Sequence, residues 1–265
     1  MRFLLTNDDG VHADGLRALI DKVIELGDHT ALVVAPDRER SACGHGISIH
    51  HPIEVKALPS DNPRVKIYAA SGTPADCVKL GVAGLSDSPP DFVISGVNRG
   101  PNLGTDVFYS GTVSAAMEGA LLGIRSMAVS VTAFENLDYR VAADFAIEQA
   151  ILAASDPGWP MLVNVNVPAV SGDSVSGVAI TRLGVQLYRD AIARRTDPKG
   201  REWYWLSGTL VDDCEINDTD TCAIRRNVIS VTPLLTDLTD PKGISSLGER
   251  SLHAPSQTGI PRMRG

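Results

Sequence analysis

Several features are missing from this chain of 265 residues, and each absence excludes a class of protein. No apolar run approaches the roughly 20 residues that cross a bilayer, so we expect no membrane span. Lys and Arg number 24 against 32 Asp and Glu, which gives a net charge of −8. Proteins that grip a nucleic-acid duplex usually carry a basic face, so duplex binding is not expected.

Three well-known phosphate and hydrolase motifs are also absent. No Gly-x-Gly-x-x-Gly follows the first predicted strand, which argues against a dinucleotide site. No Gly-x-x-x-x-Gly-Lys-Ser/Thr occurs, which excludes a P-loop, and no Gly-x-Ser-x-Gly occurs, which disfavours a serine hydrolase. Cys43, Cys77, Cys214 and Cys222 form no Cys-x-x-Cys pair, so we expect reduced thiols, no zinc site and a cytoplasmic location.

The amino-terminal segment predicts an α/β fold. Phe3-Leu4-Leu5 is a continuous apolar run, as in a strand buried on both faces of a parallel sheet. Because this strand begins directly after Met1, we expect no signal peptide. The next apolar residues recur with helical spacing between a predicted N-cap at Asp14 and a terminating Gly27. A second apolar strand over 30–35 completes a β-α-β unit with a right-handed parallel crossover.

The same patterns extend along the chain. Further strands are predicted over 49–58, 64–70, 91–95, 126–132, 161–167, 202–206 and 228–231. Helices are predicted after Thr73, from Ser110 and over 139–154. The pattern changes beyond Leu183, so we divide the chain into a core of 1–183 and an appended region of 184–265. The tail after Thr236 is rich in Gly, Ser and Pro, which predicts poor order or an arm.

Oxygen-bearing side chains follow three of these strands. Asp8 and Asp9 end the first strand, Ser41 lies in the loop after the second, and Asn98 follows the strand over 91–95. Ligands bind at the carboxyl ends of parallel strands, so these loops should converge. Adjacent carboxylates repel each other unless a cation or a proton lies between them. An all-oxygen set suits magnesium, manganese or calcium, whereas Asp8-Asp9-Gly10 could also be a simple turn.

A candidate anion site lies at the helix predicted from Ser110. Free N–H groups and a partial positive charge at a helix N-terminus favour phosphate. Ser110, Gly111 and Thr112 would supply donors there, together with Asn102 in the preceding loop. Ordinary N-capping by Ser110 or Thr112 is the alternative interpretation, and a neighbouring metal site favours phosphate binding.

These motifs together resemble the SurE family of survival-protein nucleotidases. The resemblance rests on runs spread to about Leu235, namely 4–10 (LLTNDDG), 35–41 (APDRERS), 71–78 (SGTPADCV), 95–104 (SGVNRGPNLG), 109–119 (YSGTVSAAMEG) and 230–234 (SVTPL). It implies a Rossmann-like three-layer αβα core with a mostly parallel sheet, a carboxyl-terminal hairpin and an oligomerisation arm. The hairpin would lie near 188–206 and the arm from about Asn227, while the tail after Gly248 matches no pattern.

The resemblance also implies an activity. It points to a metal-dependent phosphomonoesterase that hydrolyses nucleoside 5′- and 3′-monophosphates in homodimers or homotetramers, and short polyphosphate could share the site. One Mg or Mn ion per subunit would be held by Asp8, Asp9, Ser41 and Asn98, while Asn102, Ser110, Gly111 and Thr112 would bind phosphate. A metal-activated water would attack phosphorus, and Asp8 or Asp9 would orient that water or accept its proton.

Three alternatives stay open at this point. A covalent aspartyl-phosphate at Asp8 is one, although the Asp-x-Asp-x-Thr pattern is absent. A non-catalytic module that binds a metal–nucleotide is another. His45 could be catalytic, although a single loop histidine is more often structural, and Phe108 and Tyr109 are the candidates for contacting a base.

Overall fold

A computed structural model describes residues 1–135, 137–189, 192–206, 208–211 and 218–250. The strands are β1 Arg2–Thr6, β2 Thr30–Pro36, β3 Val55–Leu58, β4 Val65–Ala70, β5 Phe92–Arg99, β6 Ser126–Val131, β7 Leu162–Val167, β8 Val178–Ile180, β9 Leu187–Arg189, β10 Ile192–Thr196, β11 Glu202–Leu206, β12 Thr209–Val211 and β13 Ile229–Pro233. The α-helices are α1 Asp14–Leu26, α2 Pro74–Leu80, α3 Gly111–Leu121, α4 Arg140–Ser155, α5 Asp220–Arg225 and α6 Pro241–Gly248.

A nine-stranded sheet forms the centre of the fold, in the order β3-β4-β2-β1-β5-β6-β7-β13-β8. The run from β4 to β7 is parallel throughout, whereas β3 is antiparallel to β4 and β13 is antiparallel to β7. The last strand, β8, is parallel to β13. The α/β prediction with a mostly parallel sheet is therefore confirmed.

Both faces of the sheet are covered, which explains the continuous apolar run in β1. Phe3 and Leu5 pack into the cluster beneath α1 and α4, while Leu4 packs on the opposite face with residues of α2 and α3. Successive side chains of a strand point to opposite faces, so each must be apolar when both faces are buried. β1 is thus an inner strand of the sheet, covered by helices on both faces, and its carboxyl end lies beside the carboxyl end of β5.

Helix α1 begins one residue earlier than predicted. Asp14 is its first helical residue, and the N-cap is Ala13, whose side chain makes no capping hydrogen bond. The prediction of Asp14 as N-cap is therefore wrong, although the carboxylate still lies in the first turn, where it complements the helix dipole. Gly27, with φ of 84°, ends the helix as predicted.

Helix α2 begins with a complete capping box. The Thr73 side chain accepts from the Asp76 N–H at 3.1 Å, and the Asp76 carboxylate accepts from the Thr73 N–H at 2.9 Å. Asp76 also accepts from the Ser48 N–H at 3.0 Å. Burial acts to raise the pKa of Asp76, but the hydrogen bonds from Ser48 and Thr73 outweigh it and hold this pKa below its usual value.

We expect Asp76→Ala to lower the free energy of unfolding at pH 7 by about 1–2 kcal/mol, because it removes half of the capping box. A carboxyl group whose pKa is depressed on folding stabilises the protein above its unfolded pKa, and this contribution is lost as the pH falls through the folded pKa. The difference between variant and wild type should therefore shrink towards pH 3. Urea unfolding at both pH values measures it, with exposed Asp61→Ala as the control. Equal stability of wild type and Asp76→Ala at pH 7 would contradict the prediction.

The region after Leu183 contains two further antiparallel pairs, β10 with β11 and β9 with β12. The hairpin predicted near 188–206 is thus present as β10–β11. The tail after Thr236 was predicted to be either poorly ordered or an arm, and the first of these is wrong for α6, which Asp240 caps by accepting from the Lys242 N–H. Residues 251–265 lie outside the described residues.

The sequence predicted reduced cysteines and no membrane span. Cys43 and Cys77 are free thiols, but Cys222 is disulfide-bonded, so the expectation of four reduced cysteines is wrong. Cys214 lies outside the described residues. Across the part of the chain that the structure describes, no helix is both long and apolar enough to cross a bilayer.

Candidate active site

The candidate site lies where β1 and β5 end side by side. The Arg99 N–H donates to Asp9 Oδ2 at 3.0 Å, which joins the last residue of β5 to the loop after β1. The Arg40 N–H donates to the Asp8 backbone carbonyl at 2.7 Å, which brings in the loop after β2. The three segments that the sequence placed at one sheet edge therefore meet there, although Asn98 and Arg99 belong to β5 itself and not to a loop after it.

A tight turn after β1 directs the two carboxylates. Asn7 closes it by donating from Nδ2 to the Gly10 carbonyl at 2.9 Å and accepting the Gly10 N–H at 3.2 Å. Gly10 has φ of 103°, and a Cβ there would lie 3.2 Å from the Arg38 carbonyl carbon. The turn therefore needs glycine at this position, for its backbone conformation and for its close approach to the loop after β2.

Asp8 is almost fully buried, with 4% of its surface exposed. Burial raises the pKa of Asp8 to about 6, although hydrogen bonds from the Thr112 hydroxyl and backbone oppose the shift and the neighbouring Asp9 adds to it. Burial also raises the pKa of Asp9, which is less deeply buried. Two adjacent carboxylates held with raised pKa values are an unfavourable arrangement for bare anions, and a bound cation would relieve it.

The start of α3 packs directly against Asp8. Gly111, its first residue, lies so close that an added Cβ would be 2.8 Å from both Cβ and Oδ2 of Asp8. The Ser110 hydroxyl caps the helix by accepting the Val113 N–H at 3.0 Å. The hydroxyl and the backbone N–H of Thr112 both donate to the Asp8 carboxylate, so the N-terminus of α3 already faces an anionic side chain. This contact was not foreseen from the sequence, which indicated only capping or phosphate binding at this turn.

Thr112 therefore contacts a candidate metal ligand. We expect Thr112→Val to lower kcat/KM by at least about 10-fold, because a hydrogen bond to a charged group contributes about 1.5–3 kcal/mol. Thr112→Ser keeps the hydroxyl and should retain most of the activity. Initial rates of phosphate release for both variants provide the measurement. Equal losses in Thr112→Val and Thr112→Ser would show that the hydroxyl is not what matters.

The side-chain oxygens of Asn98 and Ser41 differ in whether they are free to bind a cation. Asn98 donates from Nδ2 to the Gly100 carbonyl at 2.9 Å, so the remaining polar atom of its amide is Oδ1, the atom that a hard cation binds. The exposed Ser41 hydroxyl donates instead to Glu39 Oε1 at 2.8 Å. The donor set of two carboxylates, an amide and a hydroxyl fits a hard divalent cation, provided that Ser41 turns from Glu39.

Asn102 belongs to a buried polar network. Its N–H donates to Asn166 Oδ1 at 2.9 Å and its Nδ2 to Ser130 Oγ at 2.8 Å, while its carbonyl accepts from Asn164 and Asn166. The network fixes the loop between β5 and α3 to the ends of β6 and β7. Contact of Asn102, Ser110, Gly111 or Thr112 with phosphate stays a prediction.

An open pocket of about 240 Å³ lies next to Asp9. Its lining residues are Asp9, His12, Ala13, Asp14, Glu39, Arg99 and Tyr139. Glu39 and Arg99 approach each other at 3.8 Å across it. Across the described ranges, His, Cys, Asp and Glu alone form no group of three that could hold a metal, so any cation site here depends on the Asn and Ser oxygens as well.

Comparison with known proteins places these residues in a family. The model of the family described as Survival protein SurE matches residues 3–190. A protein named 5′-nucleotidase SurE from a Cyanothece species is 48% identical over 261 residues, covering 93% of this chain and 95% of that one. The protein of the same name from Thermosynechococcus vestitus is 48% identical over 256 residues, covering 94% and 96%.

A solved structure shares the fold as well. The SurE protein from Aquifex aeolicus is 36% identical, with a TM-score of 0.80 over 93% of this chain and 98% of that one. The matched segment contains the Asn7–Gly10 turn, the Ser41 loop, Asn98 and the start of α3. The chain therefore belongs to the SurE family.

Proposed function

We propose that this protein is a metal-dependent phosphomonoesterase that hydrolyses nucleoside 5′-monophosphates, and 3′-monophosphates as well, to nucleoside and phosphate. The observation that carries the proposal is the contact between buried Asp8 and the first turn of α3. It places a pair of carboxylates suited to a cation beside a helix N-terminus suited to an anion. The named relatives, which are 5′-nucleotidases, support the reaction and the substrate class.

The proposed metal ligands are Asp8, Asp9, Asn98 and Ser41, holding one Mg or Mn ion per subunit. When bound, such an ion offsets negative charge on the phosphoryl oxygens and lowers the pKa of the attacking water. The raised pKa of Asp8 and Asp9 is the physical reason to expect a cation there, because a dication favours the ionised form of both. Their position beside Asn98 and Ser41 makes the donor set entirely oxygen.

In the proposed reaction, a water oxygen forms a bond to phosphorus while the bond from phosphorus to the ribose oxygen breaks. Asp9 takes the proton of the water, since it is the less buried carboxylate and the Arg99 N–H orients it. Thr112 holds Asp8 in place, and we propose that Asn102 and the start of α3 orient the phosphoryl oxygens. The nucleoside leaves as an alcohol after taking up a proton from solvent.

Phosphate release from AMP, GMP and 3′-AMP, measured colorimetrically with and without Mn²⁺ or Mg²⁺, tests the proposal. We expect release that depends on the metal and that EDTA abolishes. Tight nucleotide binding without release would instead indicate a binding module. Rapid-quench labelling with radioactive phosphate tests the direct attack by water, because a trapped phospho-enzyme would contradict it.

We further propose that residues 1–183 form the catalytic core and that 184–265 join subunits into a homodimer or homotetramer in the cytoplasm. In support of the assembly, Trp203, Tyr204 and Trp205 of β11 are all about half exposed, and large exposed aromatic patches are typical of association surfaces. Light scattering after size exclusion measures the assembly. A monomer at micromolar concentration would contradict it.

A further inference from the structure

Glu118 is a buried carboxylate that the proposed reaction does not use. It lies in α3 with 4% of its surface exposed. His45 Nε2 is 2.8 Å from its Oε2, and the Lys79 ammonium from α2 pairs with its Oε1. A buried carboxylate is costly unless it is paired. These two partners explain how Glu118 is tolerated inside the fold, and its position suggests what it does.

His45 belongs to the same loop as Ser41. On one side of Ser41, the Arg40 N–H donates to the Asp8 carbonyl. On the other side, the Gly44 N–H donates to the Tyr109 carbonyl at 3.0 Å. Between these two contacts Ala42 has φ of 56°, a conformation that costs free energy for a residue with a side chain. The turn that carries Ser41 therefore needs attachments on both sides to keep its shape.

The far end of this loop is held by α2. The Thr73 hydroxyl donates to the Gly46 carbonyl at 2.8 Å, and the Ser48 N–H donates to Asp76. His45 thus lies in a short segment attached to the start of α2 and to α3. Because Glu118 pairs with His45 on the loop and Lys79 on α2, one buried carboxylate joins all three elements.

Helix α3 connects this pairing to the candidate site. Glu118 follows Gly111 by two turns, which puts both residues on the same face of the helix. Gly111 packs against Asp8 at the helix start. The same rigid helix therefore fixes Asp8 at one point and, through His45, the loop that carries Ser41 at another.

We propose that His45, Glu118 and Lys79 form a positioning cluster that holds the Ser41 loop beside Asp8 for binding of the divalent cation. The cluster acts through the loop and does not touch the reacting atoms. The proposal rests on the proposed function, because it takes Asp8 and Ser41 as ligands. It gives His45 a structural part in metal affinity in place of a catalytic one.

Binding of Mn²⁺ alone, followed by the electron paramagnetic resonance signal of the free ion, tests the proposal without a turnover assay. We expect His45→Ala to weaken Mn²⁺ binding by about 10-fold, in the range seen when groups behind metal ligands are removed. His45→Gln keeps a donor for Glu118 and should recover most of the affinity. His51→Ala changes an exposed histidine of the neighbouring segment and is the matched control.

Three further measurements separate positioning from general loss of structure. With AMP as substrate, His45→Ala should need about 10-fold more Mn²⁺ for half-maximal rate, while kcat at saturating Mn²⁺ stays within about twofold of wild type. Hydrogen exchange should speed up in the peptide over 40–48 and not elsewhere. Glu118→Gln should act in the same direction, and adding it to His45→Ala should produce little further loss.

The outcomes distinguish this inference from the proposed function. If Asp8→Asn abolishes Mn²⁺ binding while His45→Ala and Glu118→Gln bind like wild type, the positioning cluster is wrong and the metal site stands. If Asp8→Asn binds Mn²⁺ like wild type, the metal site itself is wrong. Loss of kcat at saturating Mn²⁺ in His45→Ala, with unchanged Mn²⁺ affinity, would overturn the inference in favour of a catalytic His45.

Discussion

Replacing Asp8 with Asn should lower kcat/KM for AMP by at least about 10³-fold while the fold remains intact, because a metal ligand at the reacting centre loses its charge. Asp9→Asn should have an effect of similar size. Phosphate release at saturating Mn²⁺ measures the loss, circular dichroism checks the fold, and Asp61→Asn, at an exposed position far along the chain, is the control. Activity within tenfold of wild type in Asp8→Asn would contradict the site assignment.

The same variant should be more stable than wild type when metal is removed. Folding raises the pKa of Asp8 from 3.8 to about 6. The folded state therefore binds the proton of Asp8 more tightly than the unfolded state does. The contribution of this proton to folding stability is fully present below pH 3.8 and is lost as the pH rises to about 6. The shift corresponds to a loss of about 3 kcal/mol at most, which Asn does not incur because it has no charge.

Urea unfolding in EDTA should therefore show the stability of Asp8→Asn rising relative to wild type between about pH 4 and pH 6, with the difference then constant up to pH 8. Saturating Mn²⁺ should reverse the order at pH 8, because a ligand that binds only the folded state stabilises it by mass action and the variant lacks the site. A variant that is less stable than wild type at pH 8 in both EDTA and Mn²⁺ would show that Asp8 is mainly a structural residue.

Local patterns predicted much of the fold, because buried strands and helices show a characteristic spacing of apolar residues. The Phe3-Leu4-Leu5 run predicted a strand inside the sheet, since a strand covered on both faces has no polar alternation. The direction of β13 could not be read in the same way. Its apolar residues predict a buried strand in either direction, and its antiparallel pairing with β7 depends on how the chain returns through α5.

Helix α6 was missed because its composition is ordinary for a loop. Pro241 and Gly243 lie within or near its first turn, and the order comes from the Asp240 cap together with proline at the first helical position. The Asp14 error has a similar origin, because acidic residues favour both the N-cap and the first turn. The N-cap and the first helical residue are neighbours in the sequence, and a residue pattern does not tell which of the two an acidic residue occupies.

The candidate site was predicted as a set of residues but not as a set of contacts. Strand ends placed Asp8, Asp9, Ser41 and Asn98 at one edge of the sheet, and the loops meet there. The pairing of Thr112 with Asp8 spans more than a hundred residues, and it leaves no local signal. Glu118 was missed for the same reason, since a carboxylate in a helix of small residues indicates neither burial nor its partners.

Gly111→Ala should test the contact between α3 and Asp8 most directly. The added Cβ would lie 2.8 Å from both Cβ and Oδ2 of Asp8, closer than real Cβ atoms approach their neighbours. Because Asp8 Cβ is next to the backbone, Asp8 must shift with the turn that carries it. We expect kcat/KM to fall by about 100-fold, the loss that a misplacement of about 1 Å causes at a reacting centre.

Stability provides the second readout of Gly111→Ala. Alanine is preferred over glycine in a helix by about 0.5–1 kcal/mol, whereas overpacking costs about 1–3 kcal/mol, so the net change should be a modest loss. Gly84→Ala is the matched control, because it lies in the helical turn Gly81–Leu85 and an added Cβ would meet no atom within 4 Å. It should leave kcat/KM unchanged. If Gly111→Ala behaves like Gly84→Ala in both measurements, α3 does not position Asp8.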